Sequence, residues 1–264
     1  MRAPRPIPLA HVIRACALLC CLTLPWTAPA WARQADETVL VAVAANFAET
    51  QAALAARFTA ATGVVVRASI GSTGQLYAQI RNGAPFDVFL AADEERPRRL
   101  EAEGRVVPGT RFTYAEGRLV LYGPGLDSVR AGGADLIEGE YAHLAIANPE
   151  TAPYGVAAVQ TLERLGLADA VAARLIRGES IGQTYRFVRS GAAELGFVAL
   201  SQVRGESSCR YWIVPRELHG PIRQDAVLLR HGADNAGARR YVAYLRSPEA
   251  RRLIASYGYG TGRR

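Results

Sequence analysis

Four short segments of the chain combine glycine or small residues with neutral hydrogen-bond donors. Each follows a predicted strand or a short connection and precedes a predicted helix: Ala45–Asn46, Ser72–Gly74, Pro153–Gly155 and Ser180–Gly182. The first N–H groups of a helix have no intrahelical partner, and the aligned peptide dipoles make that end positive. Such ends attract anions, and none of the four segments contains an arginine or a lysine. Together they predict a site that holds an anion through neutral donors.

Each segment alone also has a simpler interpretation. An Asn in the place of Asn46 is more often only the N-cap of a helix, and Ser72 with Thr73 could equally be a capping pair. Tyr154 and Ile181 are ordinary core residue types. The prediction depends on four such segments occurring in one chain.

Residues with the chemistry for catalysis do not form a recognised pattern. The sequence has no Gly-x-Ser-x-Gly elbow, no His-Glu-x-x-His motif and no lysine for a phosphate-binding loop. His143, His219 and His231 lack the spacing of metal ligands, and Asp87 and Asp93 suit capping and turn formation at a strand end. We therefore expect neither an enzyme nor a cofactor.

The N-terminal segment has the features of a signal peptide. Three arginines precede the apolar stretch Ala15–Leu24, no acidic residue occurs before Asp36, and Ala30–Ala32 has the small-x-small form of a cleavage site. About ten apolar residues are too few to span ~30 Å of hydrocarbon, which disfavours a membrane anchor. We predict that residues 1–32 are removed after Ala32 and that the protein is periplasmic.

Removal of this segment changes the charge and the cysteine content. The chain has 31 basic residues, all arginine, and 24 acidic residues. Three arginines lie in the segment, so the mature chain has 28 basic residues and a net charge of +4. These arginines are scattered, which does not favour nucleic-acid binding. Cys209 is the only cysteine left, which excludes an intramolecular disulfide and a cysteine-based zinc site.

Short apolar runs alternate with amphipathic segments along the mature chain. Val39–Ala44 and Phe86–Leu90 are typical buried strands, and Phe47, Leu54 and Phe58 share one helix face. A late strand is predicted at Ala226–Leu229. This alternation predicts an α/β protein with mostly parallel sheets, in which ligands bind beyond the carboxyl ends of the strands.

Six stretches, in this order and spacing, resemble the periplasmic molybdate-binding proteins of ABC transporters. They are Val43–Phe47, Gly71–Ile80, Gly83–Asp93, Asn148–Gly155, Gly196–Gln202 and Leu245–Ala250. The resemblance covers essentially the whole mature chain. It implies the two-lobed type II periplasmic-binding-protein fold, in which each lobe is a mostly parallel sheet flanked by helices and the ligand cleft lies between the lobes. We assign lobe I to residues 38–117 plus 226–264 and lobe II to residues 118–225.

The resemblance also implies a set of ligand-binding residues. One oxyanion binds in the cleft of the family, and the matching positions in this chain are Asn46, Ser72, Thr73, Tyr154 and Ile181, the last through its backbone N–H. The metal atom of molybdate is then held only through its oxygens, with no direct protein–metal ligand.

One position departs from the family pattern. Many members have, at the end of the Gly-Phe-Val strand, a tyrosine whose hydroxyl donates to the anion, whereas this chain has Ala199. The sequence is similar to a family variant with Asn in the first loop and Tyr in the Pro-Tyr-Gly loop. We hypothesise that the Tyr154 hydroxyl replaces the missing donor. The alternative is that Tyr154 contacts the anion only through its backbone N–H.

The function implied by the resemblance is that of a monomeric receptor. It binds molybdate, and tungstate too, and delivers the anion to an ABC permease in the inner membrane after hinge closure of the two lobes. Two alternatives stay open: a receptor for another tetrahedral oxyanion such as sulfate, and an exported α/β enzyme acting on a phosphorylated or sulfated substrate. A transcriptional effector domain of this fold is disfavoured by the signal peptide and by the absence of a helix-turn-helix segment.

Overall fold

The computed structural model describes residues 38–125, 129–130, 133–206 and 210–260. The predicted signal peptide 1–32 and Cys209 lie outside these residues. The helices are α1 (Ala48–Thr62), α2 (Thr73–Arg81), α3 (Glu95–Ala102), α4 (Ala134–Glu138), α5 (Pro153–Arg164), α6 (Ala168–Val171), α7 (Ile181–Arg189), α8 (Leu200–Val203), α9 (Ala236–Leu245) and α10 (Pro248–Ser256).

Ten strands form two five-stranded sheets in the described part of the chain. Sheet 1 has the order β2-β1-β3-β10-β4, from β1 (Thr38–Ala44), β2 (Val65–Gly71), β3 (Val88–Leu90), β4 (Phe112–Gly117) and β10 (Ile222–Leu228). Sheet 2 has the order β7-β6-β8-β5-β9, from β5 (Leu119–Tyr122), β6 (Leu144–Ala147), β7 (Leu175–Gly178), β8 (Leu195–Ala199) and β9 (Tyr211–Ile213).

Each sheet has four strands in one direction and one strand against them. In sheet 1 the reversed strand is β10, which pairs antiparallel with β3 and β4, while β1 pairs parallel with β2 and β3. In sheet 2 the reversed strand is β5, between β8 and β9. The predicted α/β class with mostly parallel sheets is confirmed.

Both faces of each sheet are covered by apolar side chains, as expected for mostly parallel sheets. In β1, Val41 and Val43 pack with Phe47 and Leu54 on one face, while Ala42 faces Leu76 on the other. The alternation of side chains along a strand therefore places β1 between α1 and α2.

The chain passes between the two sheets at two connections. Arg118 alone separates β4 from β5, and residues 214–221 connect β9 to β10. We call these two connections the hinge. β10 begins at Ile222, earlier than the predicted Ala226. The sequence pattern missed these first residues because Gln224 and Asp225, which are buried but polar, interrupt the apolar run. The lobe boundaries at 117/118 and 225/226 remain predictions.

Candidate functional site

The structure brings Asn46, Ser72, Thr73, Tyr154 and Ile181 together around one small cavity. The loops that carry them follow the carboxyl ends of β1, β2, β6 and β7. The cavity has a volume of about 10 Å³, far below the ~300–1,000 Å³ of sites for drug-sized ligands. Among the residues that the structure describes, those that line the cavity are all uncharged: Ala44, Ala45, Asn46, Gly71, Ser72, Thr73, Ala92, Ala152, Pro153, Tyr154 and Ile181. The ligand class that suits it is therefore very small.

Two hydroxyl groups at the start of α2 are oriented by backbone donors. Ser72 is the N-cap of α2, and its Oγ accepts a hydrogen bond from the N–H of Gln75 at 3.4 Å. The Oγ1 of Thr73 accepts from the N–H of Ala92 at 3.0 Å. Because each oxygen already accepts a bond from the protein, the hydroxyl hydrogen is free to be donated to a ligand.

The first three residues of α5, Pro153, Tyr154 and Gly155, each shape the start of the helix at the cavity. Pro153 has no N–H, so Tyr154 carries the first N–H of the helix, and the N-cap Ala152 provides no side-chain acceptor. A Cβ on Gly155 would lie 2.2 Å from the carbonyl oxygen of Ala147. Glycine therefore lets α5 begin close to the end of β6 and so at the cavity.

The hydroxyl of Tyr154 contacts the hinge strands. It accepts a hydrogen bond from Nε2 of Gln224 at 3.3 Å, and a Cβ on Gly117 would lie 2.2 Å from it. The ring is almost completely buried, and burial raises the pKa of the Tyr154 phenol well above its ordinary value. The hydroxyl therefore keeps its proton and accepts a bond from β10, whereas the backbone N–H of Tyr154 lies at the start of α5.

Asn46 connects the cavity to the same network. Its Nδ2 donates to Oε1 of Gln224 at 3.0 Å and to the hydroxyl of Tyr259 at 3.1 Å. Its backbone carbonyl accepts from the hydroxyls of Tyr259 at 2.7 Å and Ser201 at 2.9 Å. Since the protein engages both amide hydrogens, the backbone N–H of Asn46, within the 3-10 turn Ala45–Phe47, is its free donor near the cavity.

Ile181 is the first residue of α7, and its side chain is buried among apolar residues. The N-cap Ser180 accepts from the N–H of Gln183 at 3.2 Å, which leaves the N–H of Ile181 without an intrahelical partner. Ala199 ends β8 and is buried in the sheet 2 core, outside the cavity lining.

The residues behind the cavity were not predicted from the sequence. Gln224 receives bonds from Asn46 and Tyr114, and burial raises the pKa of the phenols of Tyr114 and Tyr259. The only sequence signal for this network is Gln224 itself, a polar residue just before the apolar run Ala226–Leu229.

The arrangement suits an anion. Three helix N-termini and one 3-10 turn converge on the cavity, and each provides donors and the positive end of its peptide dipoles. Across the described residues, no cluster of three His, Cys, Asp or Glu could hold a metal ion. No helix in the described ranges is long and apolar enough to cross a membrane.

Comparison with known proteins gives consistent matches over this fold. Residues 39–260 match the family described as bacterial extracellular solute-binding proteins. The chain is 52% identical over 234 residues to the molybdate-binding protein ModA of Azotobacter vinelandii, covering 88% of this chain and 92% of that protein. It is 44% identical over 251 residues to ModA of Rhodobacter capsulatus, covering 95% and 98%. The solved structure of the Azotobacter vinelandii periplasmic molybdate-binding protein superposes with a TM-score of 0.82 at 40% identity, covering 85% of this chain and all of that one.

Proposed function

The chain belongs to the bacterial extracellular solute-binding protein family, and on that premise we propose that it is the periplasmic molybdate-binding component of an ABC importer. The observation that carries the proposal is the convergence of helix N-termini on a small cavity lined by uncharged residues. The 52% identity to a molybdate-binding protein supports molybdate as the anion. Because tungstate has the same charge and shape, we extend the proposal to tungstate.

We assign five donors to the anion. They are the hydroxyls of Ser72 and Thr73 and the backbone N–H groups of Asn46, Tyr154 and Ile181. A hydrogen bond to a charged group contributes roughly 1.5–3 kcal/mol, so five contribute on the order of 8–15 kcal/mol before the costs of ordering and closure. Since micromolar affinity corresponds to about 8.2 kcal/mol, formal positive charge in the cavity is unnecessary.

Neutral, fixed donors also provide a basis for selectivity. Sulfate is smaller than molybdate and would leave donors in a molybdate-sized cavity with stretched bonds, which is costly for buried groups. Phosphate carries a proton near neutral pH and needs an acceptor, whereas every group assigned to the anion is a donor. The sulfate-receptor alternative therefore has less support than molybdate binding. The enzyme alternative has less support because the matched relatives are named as binding proteins.

Export, delivery and oligomeric state complete the proposal. Cleavage after Ala32 releases the protein into the periplasm, and the two lobes close over the anion by rotation at the hinge. The closed form then delivers the anion to a permease in the inner membrane. The protein acts as a monomer and needs no cofactor.

Isothermal titration of the mature chain with molybdate, tungstate, sulfate and phosphate tests the function. We expect micromolar or tighter binding of the first two and at least tenfold weaker binding of the others. Ser72→Ala should weaken molybdate binding roughly tenfold or more because it removes a hydroxyl donor. Equal affinity for sulfate and molybdate would contradict the proposal.

A matched control separates the ligand contact from helix capping. Ser247 is the N-cap of α10, and its Oγ accepts from the N–H of Ala250 at 3.1 Å, outside the cavity lining. Ser72→Ala and Ser247→Ala should each lower stability by about 0.5–2 kcal/mol. Only Ser72→Ala should weaken binding.

A further inference from the structure

We propose, on the basis of the proposed function, that Arg96 and Gly74 form a clasp that holds the cleft closed over the anion. Neither residue lines the cavity. Both join an element packed on sheet 1 to the loop between β6 and α5 on sheet 2. They are therefore positioning residues, which set how long the anion is retained.

Arg96, on α3, contacts both Asp93 and the loop between β6 and α5 through the two Nη atoms of its guanidinium group. Its Nη1 pairs with the carboxylate of Asp93, which also accepts the backbone N–H of Arg96 at 3.0 Å. Its Nη2 donates to the carbonyl oxygen of Glu150 at 2.9 Å. The planar guanidinium presents these donors in a fixed fork. Asp93 therefore holds the arginine in the orientation that reaches across to Glu150.

Gly74 makes the second connection through its backbone. It is the second residue of α2, and its N–H donates to the carbonyl oxygen of Thr151 at 2.8 Å. This N–H lies in the first turn of α2 and has no partner within the helix. Because the carbonyl oxygen of Thr151 accepts it, it is not available to the anion. The bond joins α2 to the residue that follows Glu150.

The absence of a side chain at Gly74 permits the contact. A Cβ there would lie 2.9 Å from Cα of Thr151, 3.1 Å from its carbonyl oxygen and 3.2 Å from Nη2 of Arg96. Two of these three atoms belong to backbone, which cannot move aside without shifting the loop. Any larger residue would therefore separate α2 from the loop and remove both bonds of the clasp.

Both bonds exist only while the lobes are close together. Rotation at the hinge that opens the cavity moves Glu150 and Thr151 away from Arg96 and Gly74. The clasp therefore stabilises the closed state selectively, which raises the apparent affinity for a ligand that binds that state. Its contribution should appear mainly as slower dissociation.

Two variants test the clasp by different routes. Gly74→Ala blocks the approach of α2 to the loop between β6 and α5. Because alanine is the better helix former, the ligand-free variant should unfold at the wild-type temperature or above. Its molybdate Kd and dissociation rate should rise about tenfold or more. Arg96→Ala removes the cross-lobe donor and should raise both about three- to tenfold. Arg96→Lys, which keeps the charge beside Asp93 and loses the fork, should behave like Arg96→Ala.

The controls lie outside the clasp. Arg99 is on the same helix and pairs with Glu95 one turn away, so Arg99→Ala should bind as wild type. A Cβ on Gly205 meets no atom within 4 Å, so Gly205→Ala should too. Small-angle scattering with saturating molybdate should show a larger radius of gyration for Gly74→Ala than for its control.

The results separate the clasp from the function on which it rests. Wild-type affinity and dissociation rate in both Gly74→Ala and Arg96→Ala would overturn the clasp and leave molybdate binding intact. A wild-type chain that does not bind molybdate would overturn the proposed function. The clasp variants would then be compared with whichever of tungstate, sulfate or phosphate the wild type binds.

Discussion

Tyr154→Phe distinguishes the two roles that the sequence allows for this residue. The change removes one hydroxyl and keeps both the ring and the backbone. In the structure that hydroxyl accepts a bond from Gln224 and lies against Gly117, while the backbone N–H is the first of α5. Acceptance alone leaves the hydroxyl hydrogen available, so the assignment depends on location: the hydroxyl lies at Gly117, whereas the backbone N–H lies at the start of α5. We assign the anion contact to the backbone, which the substitution leaves in place.

The expected effect falls on stability. Removing the hydroxyl leaves Nε2 of Gln224 without this acceptor in a buried network, and an unsatisfied buried donor costs about 1–3 kcal/mol. The molybdate Kd should stay within about threefold of wild type, because a threefold change is only about 0.7 kcal/mol. A hydroxyl that bound the dianion would contribute ~1.5–3 kcal/mol, and its loss would weaken binding roughly ten- to a hundredfold.

The assay combines titration calorimetry with urea unfolding of the ligand-free chain. Tyr241→Phe is the control, since the Tyr241 hydroxyl is also buried and donates to Oε1 of Gln51 at 2.8 Å, in the sheet 1 core. Both variants should lose stability and retain molybdate binding. Tenfold weaker binding by Tyr154→Phe, with Tyr241→Phe unchanged, would refute the assignment to the backbone and restore the hydroxyl hypothesis.

Two further outcomes follow from the same geometry. Gly155→Ala should weaken molybdate binding at least tenfold and lower the melting temperature, because its Cβ would meet the Ala147 carbonyl at 2.2 Å, whereas Gly205→Ala should do neither. Burial raises the pKa of Tyr122 to about 12, and it also raises that of Tyr259. The unfolded chain therefore loses these protons first, so the free energy of unfolding should be constant up to about pH 9. Above pH 10 it should fall by as much as ~1.4 kcal/mol per pH unit for each such tyrosine. Urea unfolding from pH 7 to 11.5 checks this, and a smaller fall in Tyr259→Phe would attribute part of it to that residue.

Most of the fold follows from short-range sequence patterns, and the elements that the patterns miss have identifiable causes. The β-branched run of β1 and the helix face of α1 are visible because they are continuous and apolar. β4 (Phe112–Gly117) was not predicted, since Thr113 and Glu116 break its apolar character. β7 (Leu175–Gly178) was missed as a short edge strand with an exposed arginine. In both cases the strand depends on pairing with a distant partner, which no local window contains.

The candidate site shows the same division between what is local and what is not. The positions of Ser72, Thr73 and Ile181 follow from local patterns, because a helix start is a local feature. The network of Gln224, Tyr259 and Asn46 depends on residues more than 170 positions apart, since Asn46 and Gln224 are separated by 178. Sequence patterns therefore indicate where the helices begin, and they could not show which side chains the protein itself engages.

The Pro-Tyr-Gly segment shows the same division within three residues. A tyrosine in an anion-binding loop invites the inference that its hydroxyl is the donor. In the structure each residue of the segment has a different role, since Pro153 makes the next residue the first donor of α5 and Gly155 lets the helix approach β6. The Tyr154 side chain then extends to Gly117 and Gln224, beside the hinge. A site built from backbone N–H groups is specified by the residues that allow close approach, so its sequence signature identifies where the donors lie and not which atoms donate.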